Sequence, residues 1–196
     1  MRITGGELGG RRFEAHASPH LRPALDQIRE SIFNILRERV SEARVLDAFA
    51  GTGSLGLESL SRGARHVIFV EQHRPTAQRV ERLLVEWKLA ERAEVWPRDF
   101  LAAAKHLAAV GPFDLIFLDP PYSHNLTAPA LARTAECKLL APEGLIILRH
   151  IKTEEPAVPA ALLRIDQRKY GDGRVDFLTW QKKDDHAEVG SVSGKL

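Results

Sequence analysis

Phe113-Asp114-Leu115-Ile116-Phe117-Leu118-Asp119-Pro120-Pro121-Tyr122 decides how the chain is read. A near-continuous apolar run rich in Phe and Ile predicts a buried strand, which an acid, two prolines and a tyrosine bring to a stop. Proline gives the ladder no donor, so the strand ends there. In an open α/β sheet, ligands gather outside the carboxyl ends of the strands, where Asp119 and Tyr122 then stand. A carboxylate acceptor, the Pro120 carbonyl and an aromatic face together suit a planar ring bearing an amine. Alone, the stretch equally fits a strand exit with a surface Asp-Pro turn.

Upstream, the pattern repeats as strand, turn and helix. Arg44-Val45-Leu46-Asp47 predicts a first strand, the turn carries Gly51, Gly53 and Gly56, and Leu57 to Arg62 continues as helix until Gly63. His66 to Val70 predicts a second strand ending at Glu71, with a helix from Pro75 to about Lys88. Ala93 to Trp96 is a short third strand running toward Asp99, and Leu101 to Val110 is an alanine-rich helix. Downstream come a helix from Leu126 to about Leu139, a turn at Pro142-Glu143-Gly144, and a fifth strand, Leu145 to Leu148. Leu162 to Tyr170 and Val175 to Trp180 flank Gly171-Asp172-Gly173 as a closing antiparallel hairpin. Strands alternating with helices predict an α/β fold, a Rossmann-like parallel sheet with helices on both faces.

Residues 1–42 read as an extension ahead of this sheet. Arg2 to Phe13 alternates around glycine pairs and predicts a hairpin or ribbon, on which Arg2, Arg11 and Arg12 could reach phosphates while the small backbone lets a nucleic acid approach. A solvated arm is the competing reading. His16, His20 and Arg22 add donors in the next loop, and Leu25 to Val40 has the spacing of an amphipathic helix. Residues 43–181 form the main domain, and the charged, Ser/Gly-rich stretch 182–196 is expected to be disordered.

Composition narrows the class. At 196 residues the chain suits one core, and a net charge of +2 is too small for a dedicated nucleic-acid coat, so any RNA contact must be local. The single cysteine, Cys137, excludes an intramolecular disulfide and any multi-cysteine metal site. The opening residues have no apolar signal core and no stretch reaches membrane-span length, so a soluble cytoplasmic protein is expected.

Gly51, Gly53 and Gly56 spell G-x-G-x-x-G, and Glu71 falls where an acid on a ribose belongs, so a dinucleotide oxidoreductase is one reading. Asp47 opposes it, because a carboxylate beside that helix N-terminus repels a pyrophosphate. S-adenosylmethionine fits better: acids favour its sulfonium and ammonium, Glu71 can accept from its ribose diol and Asp99 from its adenine amine. Each acid also has a plain role: Asp47 as a turn cap, Glu71 as a solvated strand end, Asp99 as the N-cap of the next helix. At the other end of the crevice, the Asp119 carboxylate and the Pro120 carbonyl would accept from the two N–H groups of a nucleobase amine. That aims its lone pair at the methyl group, while Tyr122 stacks on the flipped base.

Several motifs resemble a known family. Asp119-Pro120-Pro121-Tyr122 after the fourth strand looks like the amino-methyltransferase motif of class I methyltransferases, and Asp47 to Glu58 looks like their cofactor loop. Arg2-Ile3-Thr4-Gly5-Gly6 with Gly10-Arg11-Arg12, then Leu21-Arg22-Pro23 and Arg29-Glu30-Ser31-Ile32-Phe33-Asn34, resembles the RsmD-type bacterial 16S rRNA guanine-N2 methyltransferases, as does Tyr170-Gly171-Asp172. Ala24 departs from the Thr that the family commonly carries after Arg-Pro. The resemblance implies S-adenosylmethionine as donor, held by Asp47, Phe49, Gly51, Thr52, Gly53, Glu71, Asp99 and Phe100. It implies catalysis by Asp119, Pro120, Pro121 and Tyr122, RNA contact through Arg2, Arg11, Arg12 and Arg22, and no metal. The acceptor it implies is a guanine N2 of 16S rRNA in the assembled small subunit, with the enzyme a monomer. Adenine N6 of DNA or RNA is the alternative acceptor, and a non-catalytic RNA-binding module the alternative class.

Overall fold

The computed structural model describes residues 1–14, 22–121 and 125–182; Tyr122, His16, His20 and residues 183–196 of the expected tail lie outside them. Seven strands form one sheet in the order β3-β2-β1-β4-β5-β7-β6. They are β1 (Arg44–Asp47), β2 (His66–Val70), β3 (Ala93–Trp96), β4 (Phe113–Leu118), β5 (Leu140–Ile151), β6 (Leu162–Tyr170) and β7 (Gly173–Trp180). The first five are parallel and β7 runs antiparallel between β5 and β6. Strand order reverses between β1 and β4, and the crevice at such a switch point is where an open α/β sheet places its ligand.

The strand read from Phe113 is central and buried on both faces, as its continuous apolar run requires. Leu115 and Phe117 point into one core with β1's Val45 and β2's Phe69; Ile116 and Leu118 point into the other with Leu46 and Ile68. The first core is closed by α1 (Arg22–Leu36), α2 (Ser54–Ser61) and α3 (Arg74–Glu86). The second is closed by α4 (Phe100–Val110) and α5 (Thr127–Glu136). Several expected boundaries shift: α1 begins at Arg22, which was expected in the preceding loop, and α5 ends at Glu136 and not near Leu139. The periodic stretch ending at Val40 is an α-helix only to Leu36, followed by a tighter 3-10 turn, Arg37–Val40. Pro142-Glu143-Gly144 is not a turn: β5 starts at Leu140 and runs through it, with the register against β4 shifting between Phe113 and Leu115. A bulge of this kind lets Pro142 sit in a strand without having to donate to the ladder.

The N-terminal segment shares the first core. Ile3, Phe13, Ile32, Phe33, Leu36 and Val40 are buried in it with the sheet residues. The ribbon closes through an antiparallel bridge between Arg2 and Arg12 and hydrogen bonds between Ile3 and the Arg11 and Gly10 backbone. Its anchor is Glu58 on α2. That buried carboxylate accepts from the Thr4 amide at 2.8 Å and hydroxyl at 2.7 Å, from Arg29 Nε at 3.2 Å and from Arg62 Nε at 2.8 Å. A buried charge persists only when paired and hydrogen-bonded in this way.

Candidate active site

The loop between β1 and α2 is built by glycine conformations. Gly51 and Gly53 have φ of 52° and 77°, a region side chains rarely adopt, and they turn the chain sharply into α2. Gly56 serves closeness: a Cβ there would lie 2.2 Å from Cε1 of Phe69, so only glycine lets α2 seat on β2. Asp47, at the end of β1, is 1% exposed and its Oδ2 accepts from the Gly56 amide at 3.0 Å. Gly53 provides no side chain to cap α2, and Asp47 does this from the neighbouring strand end. Burial pushes the Asp47 carboxyl up to about 7; the Gly56 amide opposes this, and the Asp119 and Glu71 carboxylates add to it.

Glu71 ends β2 and holds the loop from the other side. Its Oε2 accepts from the Gly51 amide at 2.8 Å and its Oε1 from the His73 amide at 2.7 Å. Asp99 is the N-cap of α4, with Oδ1 accepting from the Ala102 amide at 2.9 Å. Asp99 therefore fills its plain role as an N-cap, whereas Glu71 is no solvated strand end but a tie across the loop; a carboxylate has about four lone-pair sites, so each retains capacity for a ligand. Both line a cavity of about 300 Å³ with Phe49, Gly51, Phe100, Asp119 and Pro121. The Phe49 and Phe100 rings lie 5.4 Å apart at its wall.

A second cavity, of about 390 Å³, adjoins it through Phe49, Gly51, Asp119 and Pro121. Thr52, Ser54 and Pro120 contribute from the predicted motifs, whereas Met1, Ile28, Arg29 and Ile32 form a wall from the N-terminal segment. The two spaces together have the size of a small-molecule site. Gly53 faces neither; it packs under Val80 of α3. Asp119 is half-buried, and its Oδ1 accepts from Arg149 Nε at 2.9 Å. Burial raises its proton affinity, and the charge and hydrogen bond of Arg149 oppose the rise. Arg149 is a site residue that reading for motifs missed. The available signal was positional: it follows the predicted fifth strand at the same sheet edge as Asp119.

Arg2 and Arg12 are exposed and face each other across the ribbon. Arg11 is exposed as well, and its guanidinium lies over the Trp87 ring at 4.9 Å, which ties the ribbon to the end of α3. The side chain of Arg22 lies outside the described part. Among the described residues no group of His, Cys, Asp or Glu could hold a metal ion, and no helix is long and apolar enough to cross a membrane.

The chain is similar to known proteins over nearly its whole length. The family model described as Conserved hypothetical protein 95 matches residues 1–179. Ribosomal RNA small subunit methyltransferase D of Escherichia coli is 36% identical over 162 residues, 82% of this chain and 80% of that one. The protein of the same name from Haemophilus influenzae is 36% identical over 156 residues, 79% of each chain. A solved Escherichia coli chain, "Putative methyltransferase yhhF", superposes with a TM-score of 0.81 at 31% identity, covering 92% of this chain and 98% of that one. The seven-stranded sheet is that of the class I methyltransferases.

Proposed function

The chain belongs to the family described as Conserved hypothetical protein 95, the RsmD family, and on that premise we propose that it methylates the exocyclic N2 of a guanine in 16S rRNA. One observation carries the chemistry: Asp119-Pro120-Pro121 ends β4 inside the same space that the glycine loop and the Glu71 and Asp99 strand ends enclose. The names of the relatives support an rRNA methyltransferase. Guanine N2 rests on the resemblance of the arginine-rich N-terminal motifs, and the assembled small subunit follows as the preferred substrate.

S-adenosylmethionine suits the donor side, where it would supply an electrophilic methyl group on a sulfonium. The α2 N-terminus, which a dinucleotide would need for its pyrophosphate, is already taken by the Asp47 carboxylate at Gly56. Acid at that position favours a cationic ligand. Glu71 then accepts from the ribose diol, Asp99 from the adenine amine, and Phe49 and Phe100 offer the ring apolar contact. Asp47 acts from beneath, through the loop it caps.

On the acceptor side a base amine is a weak nucleophile because its lone pair is delocalised. Asp119 and the Pro120 carbonyl each accept one of its N–H groups, which directs the lone pair toward the methyl group and stabilises the positive charge that develops on nitrogen. The new C–N bond forms as the methyl–sulfur bond breaks, with that electron pair left on sulfur. The surplus proton leaves the nitrogen afterwards, so no base is needed first. Tyr122 stacks on the flipped base, and Arg2, Arg11, Arg12 and Arg22 take backbone phosphates.

The test is methyl transfer onto small subunits from a strain lacking the enzyme, followed by digestion to nucleosides. N2-methylguanosine is expected; N6-methyladenosine would move the assignment to adenine. Asp119→Ala should abolish transfer while S-adenosylhomocysteine still binds, and unchanged transfer would overturn the role of this corner.

A further inference from the structure

Arg149 has no part in any motif of the sequence, yet it stands at the centre of the acceptor side. Leu118 of β4 pairs with Leu148 of β5, so Asp119, just past the end of β4, and Arg149, still within β5, stand side by side at the carboxyl edge of adjacent parallel strands. Both line the larger cavity, and their side chains are similarly exposed, at 25% and 24%. The Nε–H of Arg149 donates to Oδ1 of Asp119 at 2.9 Å, and among the described residues that carboxylate makes no other hydrogen bond.

Resting on the methyl-transfer reading above, we propose that Arg149 is a positioning residue of the acceptor site: by holding Oδ1 it turns the Asp119 carboxylate so that Oδ2 faces the incoming amine. Position matters here because the amine must be held with its lone pair on the line of transfer, and a misplacement of about 1 Å costs on the order of 100-fold in rate. A guanidinium bound through Nε is a rigid, planar partner, unlike the mobile ammonium of lysine.

Charge gives a second consequence. An ionised carboxylate only accepts hydrogen bonds, whereas a protonated one presents an O–H that opposes the N–H of the amine. Asp119 is desolvated, and its proximity to Asp47 and that residue's proximity to Glu71 crowd acids at this edge. Arg149 is the cation that counters the effect of burial at Asp119. Removing it therefore moves the acid limb of the rate profile to higher pH, an effect a purely structural residue does not have.

The experiment compares wild type, Arg149→Ala, Arg149→Gln, Arg149→Lys and Asp119→Ala in methyl transfer to small subunits across pH 5.5–9, with S-adenosylhomocysteine affinity by calorimetry and melting temperature alongside. Arg149→Ala is expected to lower kcat about 10- to 100-fold near neutral pH, with affinity for S-adenosylhomocysteine retained and the acid limb shifted upward. Arg149→Lys should restore the limb and part of kcat. Arg149→Gln, which keeps an N–H donor and loses the charge, should retain more kcat than Ala with the limb still shifted. A wild-type rate and profile in both Arg149→Ala and Arg149→Gln, with Asp119→Ala inactive, overturns the role of Arg149 and leaves the methyl-transfer reading standing. Full activity in Asp119→Ala overturns both. A loss in the Arg149 variants that tracks lowered melting temperature, with no change in pH profile, also overturns it.

Discussion

Glu58 and Arg29 form a buried ion pair, Oε2 to Nε at 3.2 Å, that joins the helix of the glycine loop to the helix of the N-terminal segment. Their side chains are 0% and 3% exposed, so neither charge has water to fall back on. Through it, and through Thr4, the ribbon that presents Arg2 and Arg12 is fixed to the helix that follows the glycine loop. Glu58→Ala leaves Arg29 with Asp26, at 3.0 Å, as its carboxylate partner and strips Thr4 and Arg62 of their acceptor, so a loss toward the lower end of about 3–5 kcal/mol is expected. Urea unfolding monitored by circular dichroism measures it; a change under 1 kcal/mol would mean that the pair is not desolvated as described.

Gly56→Ala tests the seating of α2. The added Cβ would meet Cε1 of Phe69 at 2.2 Å and Cζ at 2.6 Å, and Phe69 is fully buried. Overpacking of this kind costs about 1–3 kcal/mol. Because Gly56 also donates to Asp47, binding of S-adenosylhomocysteine should weaken in parallel. Adding Phe69→Leu should recover part of the stability, read from the same denaturation curves.

Asp47 gives the fold a definite pH dependence. Its proton affinity is higher folded than unfolded, about 7 against 3.8, so the folded state binds the extra proton. Its contribution to stability is whole below about 3.8 and is lost as pH rises toward and through about 7. Asp47→Asn keeps an acceptor for the Gly56 amide and does not titrate. The variant should lack this decline between pH 4 and pH 8, and the difference between the two unfolding free energies, measured at several pH values, isolates the effect. A cationic ligand favours the ionised form, so its binding to wild type should strengthen as pH rises through this window.

Arg2 and Arg12 lie directly opposite each other on exposed positions of the ribbon, an arrangement that is mildly unfavourable without an anion. Replacing both with Ser should leave stability unchanged or slightly raised. RNA binding should weaken uniformly, with the slope of log K against log salt falling by about 1.4 if each arginine takes one phosphate of a single strand. Filter binding at several salt concentrations tests this, and an unchanged slope would place the RNA elsewhere.

The order of the elements and the strand end at Asp119 are legible in the residues alone. Period-two and continuous apolar runs, glycine turns and proline stops are local signals, and local sterics and burial obey them with few exceptions. Pro142-Glu143-Gly144 shows the limit: those residues favour a turn, but Leu140 and Leu145 on either side pair with β4 and the Thr179 hydroxyl of β7 donates to the Gly144 carbonyl, which carries the strand through them with an irregular register. Tertiary structure alone decided three things. It made the N-terminal segment a wall of the cavity, since Met1, Ile28 and Arg29 reach the glycine loop only once Glu58 anchors them. It brought Arg11 over Trp87, 76 positions away in the chain and a neighbour only after packing. It brought Arg149 to Asp119, because strand order places β5 beside β4 and no spacing within either strand encodes that. Contacts between residues distant in sequence depend on how strands order in the sheet, and that order minimises the exposed apolar surface of the whole chain, which no single stretch contains.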